Sequence, residues 1–224
     1  MALFNGEAED YDKWYETKIG EHADRVETEC ALSLFKVEPG MRLLDVGCGT
    51  GNFSIKLARQ GASVVGVDIS REMLVIAEKK AEQEKLDIEF KEMDGLNLLF
   101  PDETFDGVLS MATIEFIPDY PEMISEMFRV CKKGGSILVG TINRDSAWGR
   151  LYQDPEYQRK ARIFQYAHLR TSEELSRLRS NHLISTRECL FIPPDLPESE
   201  ISSAKEKELS QNNRGGFFCV LWKK

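Results

Sequence analysis

The chain has 224 residues, 42% of them hydrophobic and 30% charged, which is enough apolar material for the core of an α/β domain. Its net charge of −9 argues against nucleic acid and anionic membranes as partners, because both would repel an acidic surface. No segment approaches the roughly 20 apolar residues that cross a bilayer, and the polar N-terminus has no signal-peptide pattern, so we expect no membrane association and a cytoplasmic location. The five cysteines form no CxxC pair and there are only three histidines, so the spacing predicts no metal site.

From residue 41 onward, short runs of Val, Ile and Leu alternate with segments of helical period. Strands are predicted at 41–46, 63–68, 87–94, 106–112 and 136–142, and helices at 51–61, 71–85 and 119–131, the last ended by Lys132 to Gly135. A capping box of Thr171 and Glu174 predicts a short helix to about residue 179, and 183–192 and 216–224 predict two closing strands. This order predicts a doubly wound, mostly parallel α/β sheet.

The most informative segment is LLDVGCGTG, at 43–51, where a strand runs through a glycine-rich turn into a helix. A dinucleotide-binding loop is built alike, but its third small residue is replaced here by Asn52. Asp45 precedes the first glycine by two positions, and a carboxylate there would repel a pyrophosphate. The loop therefore favours a cationic ligand that carries no phosphate.

Two further acids end neighbouring strands. Asp68 closes the second predicted strand, where a carboxylate can accept hydrogen bonds from ribose hydroxyls, and Asp94 closes the third, where it can accept from an adenine amino group. Open α/β sheets bind ligands at the carboxyl ends of their strands. Asp45, Asp68 and Asp94 are therefore expected to face one ligand.

The motif LLDVGCGTG, followed by VVGVDIS, MDG and FDGVLS, resembles the class I S-adenosylmethionine-dependent methyltransferases of the small-molecule type, similar to those of quinone biosynthesis. The resemblance covers roughly residues 35–142 and the two closing strands. It implies a Rossmann-like sheet of seven strands with the last one antiparallel, S-adenosyl-L-methionine as cofactor, and in-line methyl transfer to a small-molecule acceptor. The cofactor-binding residues it implies are Asp45, Gly47, Cys48, Gly49, Asn52, Asp68, Ile69, Met73, Met93, Asp94, Gly95, Ser110, Met111 and Ala112.

We expect a single methyltransferase domain over residues 1–224, because the sequence shows no repeat and no second core. Within it, 1–35 would form an N-terminal helical cap, 36–142 the cofactor-binding core, 143–182 a substrate lid and helix, and 183–224 the closing strands. The cap and the segment 144–170 are aromatic and aperiodic, so we expect them to determine the acceptor and to close over it.

The sequence assigns no catalytic residue. Relatives often carry histidine after the fourth strand, where this chain has Ile114-Glu115-Phe116, and it lacks the Asn/Asp-Pro-Pro-aromatic motif that serves amide and exocyclic nitrogens of proteins and nucleic acids. Glu115 is open to two interpretations, binding of a substrate amine or an ion pair with an arginine such as Arg144. The other candidate bases, all on expected cap or lid segments, are Tyr11, Tyr15, His22, Tyr166 and His168. An NAD(P)-dependent oxidoreductase and a non-catalytic interaction module stay open as alternatives, and the oligomeric state is not predicted.

Overall fold

The computed structural model describes residues 8–224, with side chains from residue 12 onward. Its strands are β1 (Arg42–Val46), β2 (Ser63–Asp68), β3 (Ile88–Glu92), β4 (Phe105–Met111), β5 (Cys131–Ile142), β6 (Leu183–Cys189) and β7 (Phe217–Lys223). Its helices are α1 (Ala8–Tyr15), α2 (Lys18–Leu34), α3 (Asn52–Ala58), α4 (Arg71–Gln83), α5 (Tyr120–Val130), α6 (Ala147–Gln153), α7 (Pro155–Lys160), α8 (Ser172–Arg177) and α9 (Ser203–Leu209). None of the described helices is long and apolar enough to cross a membrane.

All seven strands join one sheet in the order β3-β2-β1-β4-β5-β7-β6. Strands β1 to β5 are parallel, and β7 lies antiparallel between β5 and β6. This confirms the predicted doubly wound, mostly parallel sheet. One boundary was wrong: Lys132 to Gly135 do not separate helix from strand, because β5 starts at Cys131 directly after α5. The early start is fixed by pairing of Cys131 with Phe105 and by backbone bonds between Gly134, Gly135 and Lys224 at the chain's end.

The two faces of the sheet carry separate apolar layers. Neighbouring residues of one strand point to opposite faces, so Leu43 packs in the layer of α2, α3 and α6, whereas Leu44 packs in the layer of α5 and α8. Helix α4 buries its predicted apolar face beside β2 and β3. Because both faces are covered, the carboxyl ends of the strands are the part of the sheet left open to a ligand.

The N-terminal segment is firmly packed through α2. Ala23, Val26 and Ala31 on this helix are buried, and α2 contacts β5, β6 and β7. Helix α1 ends close to Gly20 of α2, where a Cβ would lie 2.0 Å from the Trp14 carbonyl oxygen, so a larger residue would push α1 away. The predicted helical cap is thus two helices, with α2 built into the core and α1 resting on it.

Candidate active site

The loop between β1 and α3 is shaped by glycine. Gly47, Gly49 and Gly51 have φ of 72°, 53° and 78°, values that favour glycine because other residues meet a Cβ clash there. The amides of Gly47 and Cys48 both donate to the Val67 carbonyl, at 2.8 and 3.0 Å, so the loop is tied across to β2. A Cβ on Gly49 would meet no protein atom within 4 Å, which leaves room at this loop for a ligand.

A cavity of about 400 Å³ opens at this loop, a volume typical of small-ligand sites. Its wall is formed by the glycine loop, the ends of β2 and β4, the residues after β3, and part of α2. All but one of the residues expected to bind the cofactor line it, namely Asp45, Gly47, Cys48, Gly49, Asn52, Asp68, Ile69, Met73, Met93, Asp94, Gly95, Met111 and Ala112. The structure brings these residues together from four segments, while the cofactor atoms that each contacts stay a prediction.

Ser110 is the exception. It alternates with Met111 along β4, so its side chain points to the other face of the sheet, where its hydroxyl is buried and has no hydrogen-bond partner among the described residues. Ser110 is absent from the cavity wall, and its contact with the cofactor stays a prediction.

Asp45 lies at the base of the cavity and is only 1% exposed. The Ser54 hydroxyl donates to one of its oxygens at 2.6 Å. Burial is the main reason that the pKa of Asp45 rises to about 7; the nearby Asp68 raises it further, and the Ser54 hydrogen bond opposes the rise. An acid that ionises at this cost is stabilised by a cation beside it, so the cavity is chemically suited to a positively charged ligand.

Asp68 holds the glycine loop as well as facing the cavity. Its carboxylate accepts from the Gly49 amide and from the Ser70 amide, each at 2.8 Å. Burial raises its pKa, and these backbone hydrogen bonds counteract part of the rise. Ile69, which is 49% exposed, adds an apolar surface to the cavity wall beside Asp68. Asp68 therefore both fixes the glycine loop and lines the cavity.

Asp94 is exposed, and its carboxylate accepts from the Leu96 amide at 2.9 Å, which closes a turn after β3.

One wall of the cavity was missed by sequence reasoning: Asp24, Glu27 and Thr28 of α2 face the loop, together with Lys56 of α3. The Lys56 ammonium donates to Asp24 and, at 2.9 Å, to the Thr28 hydroxyl. Asp24, Glu27 and Thr28 are spaced three and four residues apart, which places them on one face of α2. This spacing is the only local signal that could have predicted them.

The candidate bases divide by position. Tyr15 lines the cavity, whereas His22 is buried between Glu206 and Arg25, and neither Tyr166 nor His168 is part of the wall. Tyr11 lies outside the described side chains.

Glu115 is fully buried. The Thr141 hydroxyl donates to one of its oxygens at 3.0 Å, the other has no partner among the described atoms, and burial raises its pKa to about 7. The proposed Glu115–Arg144 pair is wrong, because Arg144 pairs with Glu174 at 3.0 Å. In residues 8–224 no group of three or more His, Cys, Asp or Glu is arranged to hold a metal.

The segment 143–182 lies beside the cavity without lining it. Trp148 of α6 is buried and donates to the Ile192 carbonyl at 2.8 Å, and Phe164 packs on Phe116, which lines the cavity. The expected lid therefore contacts the cavity wall at Phe116, and its closure over ligand stays a prediction.

A seven-stranded sheet with one antiparallel insertion, a glycine loop after β1 and acids ending β1 to β3 together define the class I S-adenosylmethionine-dependent methyltransferases. The sequence model of a family described as a methyltransferase domain matches residues 44–139, and this chain belongs to that methyltransferase family. The assignment decides against an NAD(P)-dependent oxidoreductase and against a non-catalytic module.

Three relatives illustrate the range of similarity. An uncharacterised protein of Methanocaldococcus jannaschii is 35% identical over 78% of this chain and 77% of its own. A phosphatidylethanolamine N-methyltransferase of Cereibacter sphaeroides is 43% identical over 45% of this chain, which spans half of that enzyme's length. A crystal structure from Thermotoga maritima, named as a SAM-dependent methyltransferase, possible histamine N-methyltransferase, has a TM-score of 0.75 and 26% identity over 99% of this chain and 98% of that one.

Proposed function

We propose that the cavity binds S-adenosyl-L-methionine along the glycine loop and a small-molecule acceptor against α2, and that the protein transfers the methyl group between them. The observation that carries this proposal is the buried Asp45 beside a glycine loop with open space at Gly49. That pairing suits a ligand that is cationic and approaches the backbone closely.

The proposed roles of the wall residues follow from their chemistry. Asp45 and the loop glycines would face the charged methionine part, Asp68 the ribose, and Ile69 with Met73 the adenine ring. When bound, the cofactor supplies an activated methyl group on a sulfonium. The protein's own residues then have to align the acceptor with that group and exclude water, which can contribute several kcal/mol.

The acceptor would occupy the end of the cavity away from the loop's first glycine. There the wall combines aromatic and apolar side chains, among them Phe53, Phe116 and Ile117, with the polar side chains of α2. A mixed wall of this kind fits a small molecule with an apolar body and one polar group better than a polymer.

Isothermal titration tests the proposal. S-adenosylmethionine and S-adenosylhomocysteine should both bind and raise the melting temperature. At a ligand concentration of one hundred times Kd, the free energy of unfolding should rise by about 2.7 kcal/mol. NADH serves as the matched control because it contains the same adenosine with a pyrophosphate. Binding of NADH without binding of S-adenosylhomocysteine would refute the proposed function.

A further inference from the structure

The wall of the cavity is strongly acidic. Among the described residues it carries five carboxylates, from Asp24, Glu27, Asp45, Asp68 and Asp94, and a single ammonium from Lys56. The last three acids belong to the cofactor end, and Lys56 pairs with Asp24. Glu27 alone faces the acceptor end with no hydrogen bond or ion pair to any described residue. Among the described residues, therefore, the one cation of the wall that acts on Glu27 is Lys56, which is already paired with Asp24.

The surroundings of Glu27 make the ionised form of its side chain costly. Burial first, and then the nearby carboxylates of Asp24 and Glu115, raise the pKa of Glu27 well above its ordinary value, and Lys56 counteracts only part of this. Glu115 is not part of the cavity wall; it is fully buried, and one of its oxygens has no hydrogen-bond partner in the described part of the chain. A partly buried carboxylate with other carboxylates nearby is stabilised when a cation binds next to it.

We propose that the acceptor of this methyltransferase is an amine attached to an apolar body, and that Glu27 binds its ammonium group and takes the proton that the nitrogen must lose. The inference rests on the proposed function and specifies its substrate class. A phenolate or a carboxylate acceptor would instead be repelled by Asp24 and Glu27. Phe53, Phe116 and Ile117 provide the apolar surface for the rest of the molecule.

The chemistry balances without any further reactant. The ammonium transfers one proton to the Glu27 carboxylate, and the freed nitrogen lone pair forms the new N–C bond. The S–C bond breaks in the same displacement and its electron pair stays on sulfur, which becomes a neutral thioether. Glu27 then passes its proton to solvent when the cavity opens. A carboxyl group whose pKa is raised by burial is a better proton acceptor than an exposed one, and a base positioned in this way contributes about 100-fold or more.

The first test measures binding to the S-adenosylhomocysteine complex by isothermal titration, with 2-phenylethylamine against its neutral isostere 2-phenylethanol. We expect the amine to bind at least about ten-fold more tightly, the gain of one charge-assisted contact. Glu27→Gln should abolish that preference while leaving the affinity for S-adenosylhomocysteine unchanged. Glu29→Gln is the matched control, because Glu29 lies on the same helix but is exposed and pairs with Arg25. Its preference should equal that of the unaltered protein.

The second test follows transfer of labelled methyl groups to amines, alcohols and phenols that share one aromatic body. Amines should be the labelled class, and Glu27→Gln should lower kcat by about 100-fold. In that variant kcat/KM should keep rising with pH up to the amine's own pKa, because only free amine can then react, whereas the unaltered protein should level off earlier. Thermal denaturation checks that the isosteric variant folds.

The outcomes separate the two proposals. No binding of S-adenosylhomocysteine would remove the proposed function itself. Binding of S-adenosylhomocysteine with no preference for amines over the neutral isostere, or labelling of phenols and alcohols without amines, would overturn the amine acceptor alone. An unchanged pH profile in Glu27→Gln would remove Glu27 from the proton transfer.

Discussion

Replacing Asp45 by asparagine should stabilise the free protein and weaken its hold on the cofactor. The substitution keeps the shape of the side chain, and the Asn carbonyl oxygen can still accept from the Ser54 hydroxyl that now donates to Asp45 at 2.6 Å. What it removes is a negative charge that is 1% exposed at the base of the cavity. The two effects should therefore have opposite signs.

The magnitude follows from the pKa of Asp45. The unfolded chain releases this proton near pH 3.8 and the folded protein near pH 7, so between these values the folded state holds the extra proton and its stability falls as the pH rises. The cost amounts to about 4 kcal/mol at pH 8 and about 2 kcal/mol at pH 5. Asparagine avoids it, so the melting temperature should rise by on the order of 10 °C at pH 8 and by about half of that at pH 5.

Calorimetry at pH 5 and pH 8, with and without S-adenosylmethionine, measures both effects. Asp45→Asn should lose about 1.5–3 kcal/mol of cofactor affinity, the range for a hydrogen bond to a charged group. The unaltered protein should bind more tightly as the pH rises from 6 to 8, a dependence absent from the variant. Asp106→Asn is the control with the opposite sign, since Lys132 lowers the pKa of Asp106 and neutralisation should destabilise. A variant that is less stable than the unaltered protein at pH 8 would refute the reasoning.

Three further predictions concern the loop and the cap. Asp68→Ala should weaken S-adenosylhomocysteine binding by about 1.5–3 kcal/mol, and it should also speed amide exchange at Gly49, which a residue that only binds ribose would not do. Asp12→Ala removes hydrogen bonds at 2.8 Å from Thr50 and 3.0 Å from Asn52, and an ion pair at 2.8 Å with Lys80. Amides of α1 should therefore exchange faster, while the free energy of unfolding falls by less than about 2 kcal/mol. Hydrogen exchange of residues 8–35 and 144–170 with and without S-adenosylhomocysteine tests the lid. Slower exchange on binding is expected, and equal protection in both states would contradict closure.

The cofactor end of the site was predictable because its residues are set by local rules. The glycine loop is a run of consecutive residues, and Asp45, Asp68 and Asp94 each end or follow a strand whose apolar pattern is plain in the sequence. Parallel strands bring their carboxyl ends to one edge, so position along the chain is enough to place these acids together. Ser110 differs from its neighbour because successive residues of a strand face opposite sides, and Met111 is the one that faces the cavity.

The acceptor end was decided by tertiary packing alone. Glu27 and Lys56 line the same cavity because α2 packs across β5, β6 and β7 while α3 follows the glycine loop, and no local sequence pattern predicts how two such helices are placed. The same holds for Glu115, whose buried state depends on what covers the turn after β4. The sequence by itself determined the fold, the loop and the acids that end the strands, because each depends on neighbours a few residues away. Which charges lie unpaired in the cavity wall depends on contacts between distant segments, and only the folded chain sets those contacts.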